Sequence, residues 1–231
     1  MSSRAVKKFA LPFFGIALLV VFQQLFALEK ALPIDFSLFD RYVEKHSTTA
    51  LSMSSSWQAM LRDTSSLTTT HQLEVVNTFL HQSFSYITDI NQFNVEDYWA
   101  SPAEMLVSKR GDCEDWAIFT YVSLRALGIP DIQLRLVYVR ARIGGENSSV
   151  SQAHMVLAYY PDGASEPLIL DSLIQTILPA SARTDLTPVF SFNSTGLWAG
   201  SGNQKSKQSA SARLSKWRDL VQRLELQGIL L

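Results

Sequence analysis

Apolar residues recur at helical spacing through the first half of the chain. This spacing predicts amphipathic helices over residues 35–48, 54–63 and 71–84. Residues 89–101 are predicted to form a turn-rich loop, after which Pro102 opens a short helix, as proline often does at a first helical position. The strongest predicted helix covers residues 111–127, with Asp112 as its N-cap and Gly128 just beyond its end.

Beyond Gly128 the apolar residues alternate with polar ones instead. The alternation predicts β-strands over residues 132–142, 153–160 and 167–173. Helices first and an antiparallel meander afterwards indicate an α+β fold rather than a parallel α/β sheet. We expect residues 179–198 to be mostly irregular. Residues 199–212 are rich in Gly, Ser and Lys and predict a flexible loop before a closing amphipathic helix over residues 214–226.

The N-terminal residues have the layout of an export signal. Arg4, Lys7 and Lys8 precede an almost wholly apolar run over residues 9–28, which is typical of a secretory signal peptide. The alternative is an uncleaved membrane anchor, because the run approaches the roughly 20 residues that span a bilayer. The chain is therefore expected to consist of a signal peptide or anchor, residues 1–28, and one exported domain, residues 29–231.

Charge and composition restrict the class of partner. The 231 residues carry a formal net charge of −1, and 47% of them are hydrophobic, which is ordinary for a folded globular protein. Binding to a phosphate backbone needs a concentrated face of Lys and Arg, and the chain has no such run after its first residues. Nucleic acid is therefore not an expected partner.

Cys113 is the only cysteine of the chain. An exported protein with one cysteine forms no internal disulfide, and a lone thiol in an oxidising compartment is a liability unless it is functional or buried. Cys113 falls in the first turn of the strongest predicted helix, where unpaired N–H groups and the helix dipole favour a thiolate. This position favours a catalytic nucleophile; the alternative is a buried structural cysteine.

A cysteine nucleophile needs a base and a group that orients the base. Among the four histidines, His154 stands out because it lies on a predicted strand beside apolar residues. A two-residue turn at Asp162 and Gly163 would place Asp171 directly opposite His154 and on the same face. The alternatives are a histidine satisfied within the core and an aspartate that caps the end of its strand.

Three acids surround the cysteine: Asp112, Glu114 and Asp115. Acids suit a helix N-terminus, so capping explains part of the cluster. Three carboxylates beside a thiol should nevertheless raise its pKa and oppose thiolate formation. A bound Ca²⁺, which prefers hard oxygen ligands, would offset their charge, although the spacing is not that of an EF-hand.

Several segments together resemble the bacterial transglutaminase-like cysteine proteinases of the LapG type. They are GDCEDWA around Cys113, AHMVL around His154 and LILDSL around Asp171, supported by DYWASPAEML, PVFSFNSTGLW and LSKWRDLVQRL. The resemblance implies a papain/transglutaminase-like α+β fold, in which N-terminal helices and a nucleophile at a helix N-terminus pack on an antiparallel sheet. It also implies Cys113 as nucleophile, His154 as general base and then acid, and Asp171 as the orienting group.

The resemblance further implies a calcium-dependent periplasmic endopeptidase, with Asp112, Glu114 and Asp115 as metal ligands. Such enzymes cut the N-terminal region of a large surface adhesin, typically at a di-alanine site, and so release cells from biofilm. An inner-membrane receptor for cyclic di-GMP is the implied inhibitory partner.

Two groups are expected to bind the oxyanion of such a reaction, the backbone N–H of Cys113 and the indole N–H of Trp99. Two other functions remain open. One is an acyltransferase or transglutaminase that uses the same residues, and the other is a non-catalytic calcium-binding module.

Overall fold

The computed structural model describes residues 31–231 except 146, 162–165, 201 and 203. The predicted signal peptide or anchor therefore lies outside the described residues. No helix in the described part of the chain is long and apolar enough to cross a bilayer.

The helices of the described residues mostly coincide with the predicted ones. They are α1 (Phe36–His46), α2 (Leu51–Thr64), α3 (Thr69–Ser83), α4 (Asp89–Gln92), α5 (Pro102–Ser108), α6 (Cys113–Ala126), α7 (Ala210–Arg213) and α8 (Ser215–Leu226). The short helix α4 lies within residues 89–101, which were predicted to form a loop. Helix α7 begins within the predicted flexible loop over residues 199–212 and ends just after it.

Side chains cap the helices that position the candidate site. Asp35 accepts the N–H groups at the start of α1. Ser101 and Glu104 form a capping box at α5, and Asp112 and Asp115 form another at α6. These caps satisfy N–H groups that have no partner inside the helix, so the start of α6 is fixed by residues that adjoin the cysteine.

The strands confirm the α+β class. They are β1 (Ser85–Tyr86), β2 (Arg110–Gly111), β3 (Leu134–Arg142), β4 (Ser151–Tyr159), β5 (Leu168–Leu170), β6 (Leu178–Pro179), β7 (Leu186–Phe192) and β8 (Leu197–Ala199). Strands β3 to β8 form an antiparallel sheet in the order β6-β5-β4-β3-β7-β8, and β1 pairs with β2 in parallel. The predicted meander describes only β3 to β5, because β6 was not predicted and β7 returns to pair with the other side of β3.

The prediction that residues 179–198 are mostly irregular was wrong, because β6, β7 and β8 lie there. Pro188 argues against an internal strand, since proline cannot donate to the ladder. The structure accommodates it at a register shift between β7 and β3, where Pro188 lies opposite Val139. Odd-numbered residues of β3, including Val139, direct their backbone groups to β4, so no ladder N–H is needed from the residue opposite Val139 on β7.

Helix α6 is the centre of the hydrophobic core. Twelve of its 14 residues are buried, so it is enclosed on nearly all sides. Phe119 packs against Trp57 and Phe84, with ring centroids 5.2 Å apart in both pairs. Burial of each large apolar side chain contributes about 1.5–3 kcal/mol, so the axis of α6 is firmly held against β4. Its first residue, Cys113, is thereby fixed beside the start of β4.

Candidate active site

The N-terminus of α6 and the start of β4 line one cleft. Its volume is about 310 Å³, and Cys113 and His154 both line it. The other lining residues are Tyr86, Thr88, Asp89, Ile90, Glu96, Asp97, Asp112, Glu114, Tyr138, Gln152 and Ala153. The acids of this list come from three separate segments, so the fold concentrates negative charge beside the only cysteine.

His154 and Asp171 are joined by a hydrogen bond. The distance from Nε2 of His154 to Oδ1 of Asp171 is 2.8 Å, and both side chains are buried. The predicted register was wrong by two residues, because β4 pairs with β5 through Leu157 opposite Leu170. The connection between these strands is longer than two residues. A shift of two keeps side chains on the same face, so Asp171 still lies diagonally across from His154.

Arg183 holds the other oxygen of Asp171. Its Nη2 lies 2.7 Å from Oδ2 of Asp171, and the same side chain bonds both oxygens of Asp185. Burial alone would raise the pKa of Asp171, but hydrogen bonds from His154, Leu173 and Arg183 hold that pKa below its ordinary value. The carboxylate therefore stays ionised, and Nε2 of His154 is the nitrogen that carries the proton donated to it. Sequence reasoning missed Arg183, since nothing local ties it to Asp171.

The remaining nitrogen of His154 is available for chemistry. Nδ1 is buried and has no hydrogen-bond partner among the described residues. With Nε2 protonated, Nδ1 carries the lone pair and can accept a proton. His154, whose Nδ1 can accept a proton, thus lines the same cleft as Cys113.

The thiol of Cys113 is nearly buried and donates to Glu114. The Sγ to Oε2 distance is 2.9 Å. Burial raises the pKa of Cys113 far above its ordinary value, and the carboxylates of Glu114 and Asp112 raise it further, while the N–H of Met155 lowers it. As the sequence predicts, the neighbouring acids therefore oppose ionisation of the Cys113 thiol.

Asp112 is the acid whose environment most requires a cation. Its Oδ1 is buried without a hydrogen-bond partner among the described residues. Burial, together with the carboxylates of Glu114 and Asp115, raises the pKa of Asp112 to about 9. A buried carboxylate oxygen without a donor is unfavourable unless a proton or a metal ion binds it.

The arrangement of these carboxylates suits a cation with oxygen ligands. Asp112 and Glu114 belong to one group of side chains whose ligand atoms lie within 4.8 Å of one another. Asp89 joins Asp112 and Asp115 in a second such group, and Asp97 and Glu114 in a third. Asp115 is the least free of them, because its two oxygens already accept the N–H groups of Ala100 and Asp112.

Asp89 is a buried acid that sequence reasoning left out of the metal site. Burial raises its pKa to about 6, although the Tyr98 N–H opposes the shift. It lies in α4, within a stretch that was predicted to form a loop and is more than 20 residues from Asp112 in the chain. No local signal marks it, because the two are brought together by the parallel pairing of β1 with β2, which the Ile87 N–H extends to the carbonyl of Gly111.

Trp99 does not offer a free donor to the cleft. Its indole N–H donates to Asp97 at 2.9 Å, and its ring stacks on Phe192 with centroids 5.7 Å apart. The expectation that Trp99 binds an oxyanion is therefore not supported by the geometry, and Trp99 is absent from the lining of the cleft. Tyr86 lines the cleft instead and interacts with Cys113, which makes its hydroxyl the better-placed side-chain donor.

Comparisons with known proteins agree with this geometry. Residues 32–190 match the family model of the bacterial transglutaminase-like cysteine proteinases. The LapG structure of Legionella pneumophila is 39% identical, with a TM-score of 0.69 over 84% of this chain and 99% of that one. Its EGTA-treated form is 38% identical, with a TM-score of 0.71 and coverage of 84% and 100%.

The calcium-bound form of Legionella pneumophila LapG is 42% identical to this chain. Its TM-score is 0.66, over 79% of this chain and 98% of that one. A comparison with curated proteins found no match. The family model covers more than half of the chain and the solved structures cover most of it, at identities well above the level at which only the fold is shared. The chain therefore belongs to the bacterial transglutaminase-like cysteine proteinases.

Proposed function

We propose that this cysteine peptidase uses Cys113 as nucleophile, His154 as general base and Asp171 as the residue that orients His154. The observation that carries the proposal is the state of the imidazole. Its Nε2 is held by Asp171, its Nδ1 is buried and unpartnered among the described residues, and His154 lines the cleft of Cys113. This is the arrangement that a nucleophile–base–orienter set requires.

The proposed reaction is acyl transfer to water. Nδ1 of His154 accepts the thiol proton, and Sγ of Cys113 forms a bond to the carbonyl carbon of the substrate. The C–N bond then breaks, and the leaving amine takes the proton from His154. A water molecule, deprotonated by the same nitrogen, attacks the thioester and releases the acid and the free thiol. The backbone N–H of Cys113 is proposed to bind the oxyanion, with the Tyr86 hydroxyl as the second donor.

The proposal includes calcium as cofactor. Asp112, Glu114 and Asp89 would hold the ion, since the unpartnered Oδ1 of Asp112 and the closely spaced carboxylates fit its preference for hard oxygen ligands. When bound, calcium supplies positive charge that offsets the carboxylates around the thiol. The calcium-bound and EGTA-treated forms of the similar LapG structures support this choice of metal.

The proposed substrate is the N-terminal region of a large surface adhesin, cleaved at a di-alanine site so that cells leave a biofilm. The proposed compartment is the periplasm, and the proposed inhibitory partner is an inner-membrane receptor for cyclic di-GMP. The support for this part is the similarity to LapG over 84% of the chain, together with the residues around Cys113, His154 and Asp171 on which the resemblance rests.

One incubation tests both reaction and metal. The domain over residues 29–231 is mixed with recombinant N-terminal segments of giant surface proteins encoded in the same genome. The expected result is two fragments with calcium, intact substrate with EGTA, and recovery when calcium is restored. Cys113→Ala should be inactive at an unchanged unfolding temperature, and substantial turnover by it would refute the assignment of the nucleophile. A crosslinked species of higher mass would instead indicate a transglutaminase.

A further inference from the structure

The backbone groups of β4 point alternately toward β3 and away from it, as in any antiparallel pair. Two hydrogen bonds that flank the pair give the alternation. The Tyr160 N–H donates to the carbonyl of Gln133 at 2.7 Å, and the carbonyl of Val150 accepts from Ile143 at 2.9 Å. Both bonds continue the register of the β3–β4 pair. Even-numbered residues of β4 therefore bond to β3, and odd-numbered residues present their N–H and C=O groups to the opposite side.

The opposite side of β4 is paired along only part of its length. Strand β5 covers residues 157–159, and no strand of the described chain pairs with the stretch before them. The odd-numbered residues of that stretch are Ser151, Ala153 and Met155. The Met155 N–H already donates a hydrogen bond to the sulfur of Cys113. Ser151 and Ala153 are exposed, and we call their outward-facing backbone groups the open edge.

The open edge continues directly from the reacting groups. Ala153 precedes His154 in the chain and lines the same cleft. A strand rises about 3.3 Å per residue, so the backbone of Ala153 lies about 7 Å along β4 from that of Met155, which contacts the thiol. This distance corresponds to two residues of an extended peptide. A peptide paired with Ala153 would therefore present a bond about two residues further along to Cys113.

We propose that the protein substrate binds as an extended segment that pairs with the open edge through the backbone groups of Ala153 and Ser151. The inference rests on the proposed endopeptidase function and names how its substrate is held. An unpaired strand edge offers donors and acceptors at regular spacing, which an extended peptide matches and a helix does not. The substrate class is therefore a locally unfolded or linker segment whose own backbone groups are free.

Single ester replacements in the substrate test the pairing on the unaltered enzyme. A short peptide that spans the bond cleaved in the adhesin segment is made with one amide at a time replaced by an ester, which removes one N–H donor. We expect kcat/KM to fall roughly five- to tenfold where the lost donor faces the open edge, and to change little at the neighbouring positions. A uniform response along the peptide, whether loss or no loss, would overturn the pairing.

The parent peptide separates this inference from the function on which it rests. Cleavage of the all-amide peptide without alternation among the esters overturns the pairing alone. No cleavage of the parent peptide or of the adhesin segment overturns the proposed function, and the pairing falls with it.

Ala153→Pro tests the enzyme side. Proline removes the Ala153 N–H, which faces away from β3, so the β3–β4 ladder keeps its bonds. We expect roughly a tenfold fall in kcat/KM, mainly through KM, with an unchanged rate of Cys113 alkylation by iodoacetamide. Ser149→Pro, in the exposed loop before β4, is the matched control and should cleave as the unaltered enzyme does. Equal kcat/KM in the two variants would contradict the proposal, and if Ala153→Pro alters alkylation, the ester series decides.

Discussion

Replacement of Arg183 by Met should destabilise the protein by removing one partner of a buried ion pair. The Nη2 of Arg183 lies 2.7 Å from Asp171, and the two side chains are 4% and 0% exposed. Removal of one member of a buried pair typically costs 3–5 kcal/mol, because the other charge stays desolvated. Asp185, whose side chain is 33% exposed, regains water and adds little to the loss. We therefore expect a loss of about 3 kcal/mol at pH 7.

The stability lost in Arg183→Met should decrease as the pH falls. The pKa of Asp171 is depressed in the folded state, so its contribution is present above its unfolded pKa and is lost as the pH falls through the folded pKa. Arg183→Met removes part of that depression. The difference in free energy of unfolding between Arg183→Met and the unaltered protein should therefore be largest near neutral pH and shrink at acidic pH, where Asp171 of the variant takes up a proton first.

Urea unfolding at a series of pH values measures this difference. Arg183→Lys, which keeps a charge but loses the two-pronged geometry, should lie between the two. Asp185→Asn is the control for the exposed half of the network and should cost less than about 1 kcal/mol. Arg183→Met should also lower kcat about a hundredfold with little change in KM, since the Asp171 carboxylate loses its alignment with His154. A variant within about 0.5 kcal/mol of the unaltered protein, or a loss that does not vary with pH, would refute the reasoning.

Three further predictions concern the same site. Asp171→Asn should lower kcat by about 10³–10⁴-fold at unchanged KM, because it reverses the hydrogen bond that sets the tautomer of His154; a fall of less than tenfold in steady-state kinetics would contradict this. Calcium at a free concentration of 100 times its Kd should stabilise the unaltered protein by about 2.7 kcal/mol and so raise its unfolding temperature. Asp112→Asn should abolish most of this rise, whereas Glu96→Gln should retain it. Gly111→Ala should lower the unfolding temperature, because a Cβ there would lie 2.9 Å from Oδ2 of Asp115 and disturb the cap of α6; an unchanged melting curve would exclude the clash.

The sequence predicts the position of Cys113 because that information is local. The cap residues Asp112 and Asp115 are three residues apart, and the apolar stripe of α6 follows them directly. The acids required by the candidate metal site are only partly local. Asp89 and Asp112 meet through the parallel pairing of β1 with β2, and no spacing rule connects residues so far apart in the chain. Arg183 is missed for the same reason, since it approaches Asp171 through a turn between β6 and β7 that the alternation pattern did not reveal.

The contact between His154 and Asp171 could be predicted from the sequence although the predicted register of β4 and β5 was wrong. Side chains of a strand alternate between two faces, so an error of two residues preserves the face and moves a partner only to the diagonal position, about 7 Å away along the strand. An error of one residue would have put Asp171 on the opposite face of the sheet. The length of the connection between β4 and β5 decides between these cases, and hydrophobic pattern alone fixes that length only to within a few residues. A hydrophobic pattern therefore predicts which face of the sheet a side chain lies on. The residue directly opposite it on the next strand can be identified only from the structure.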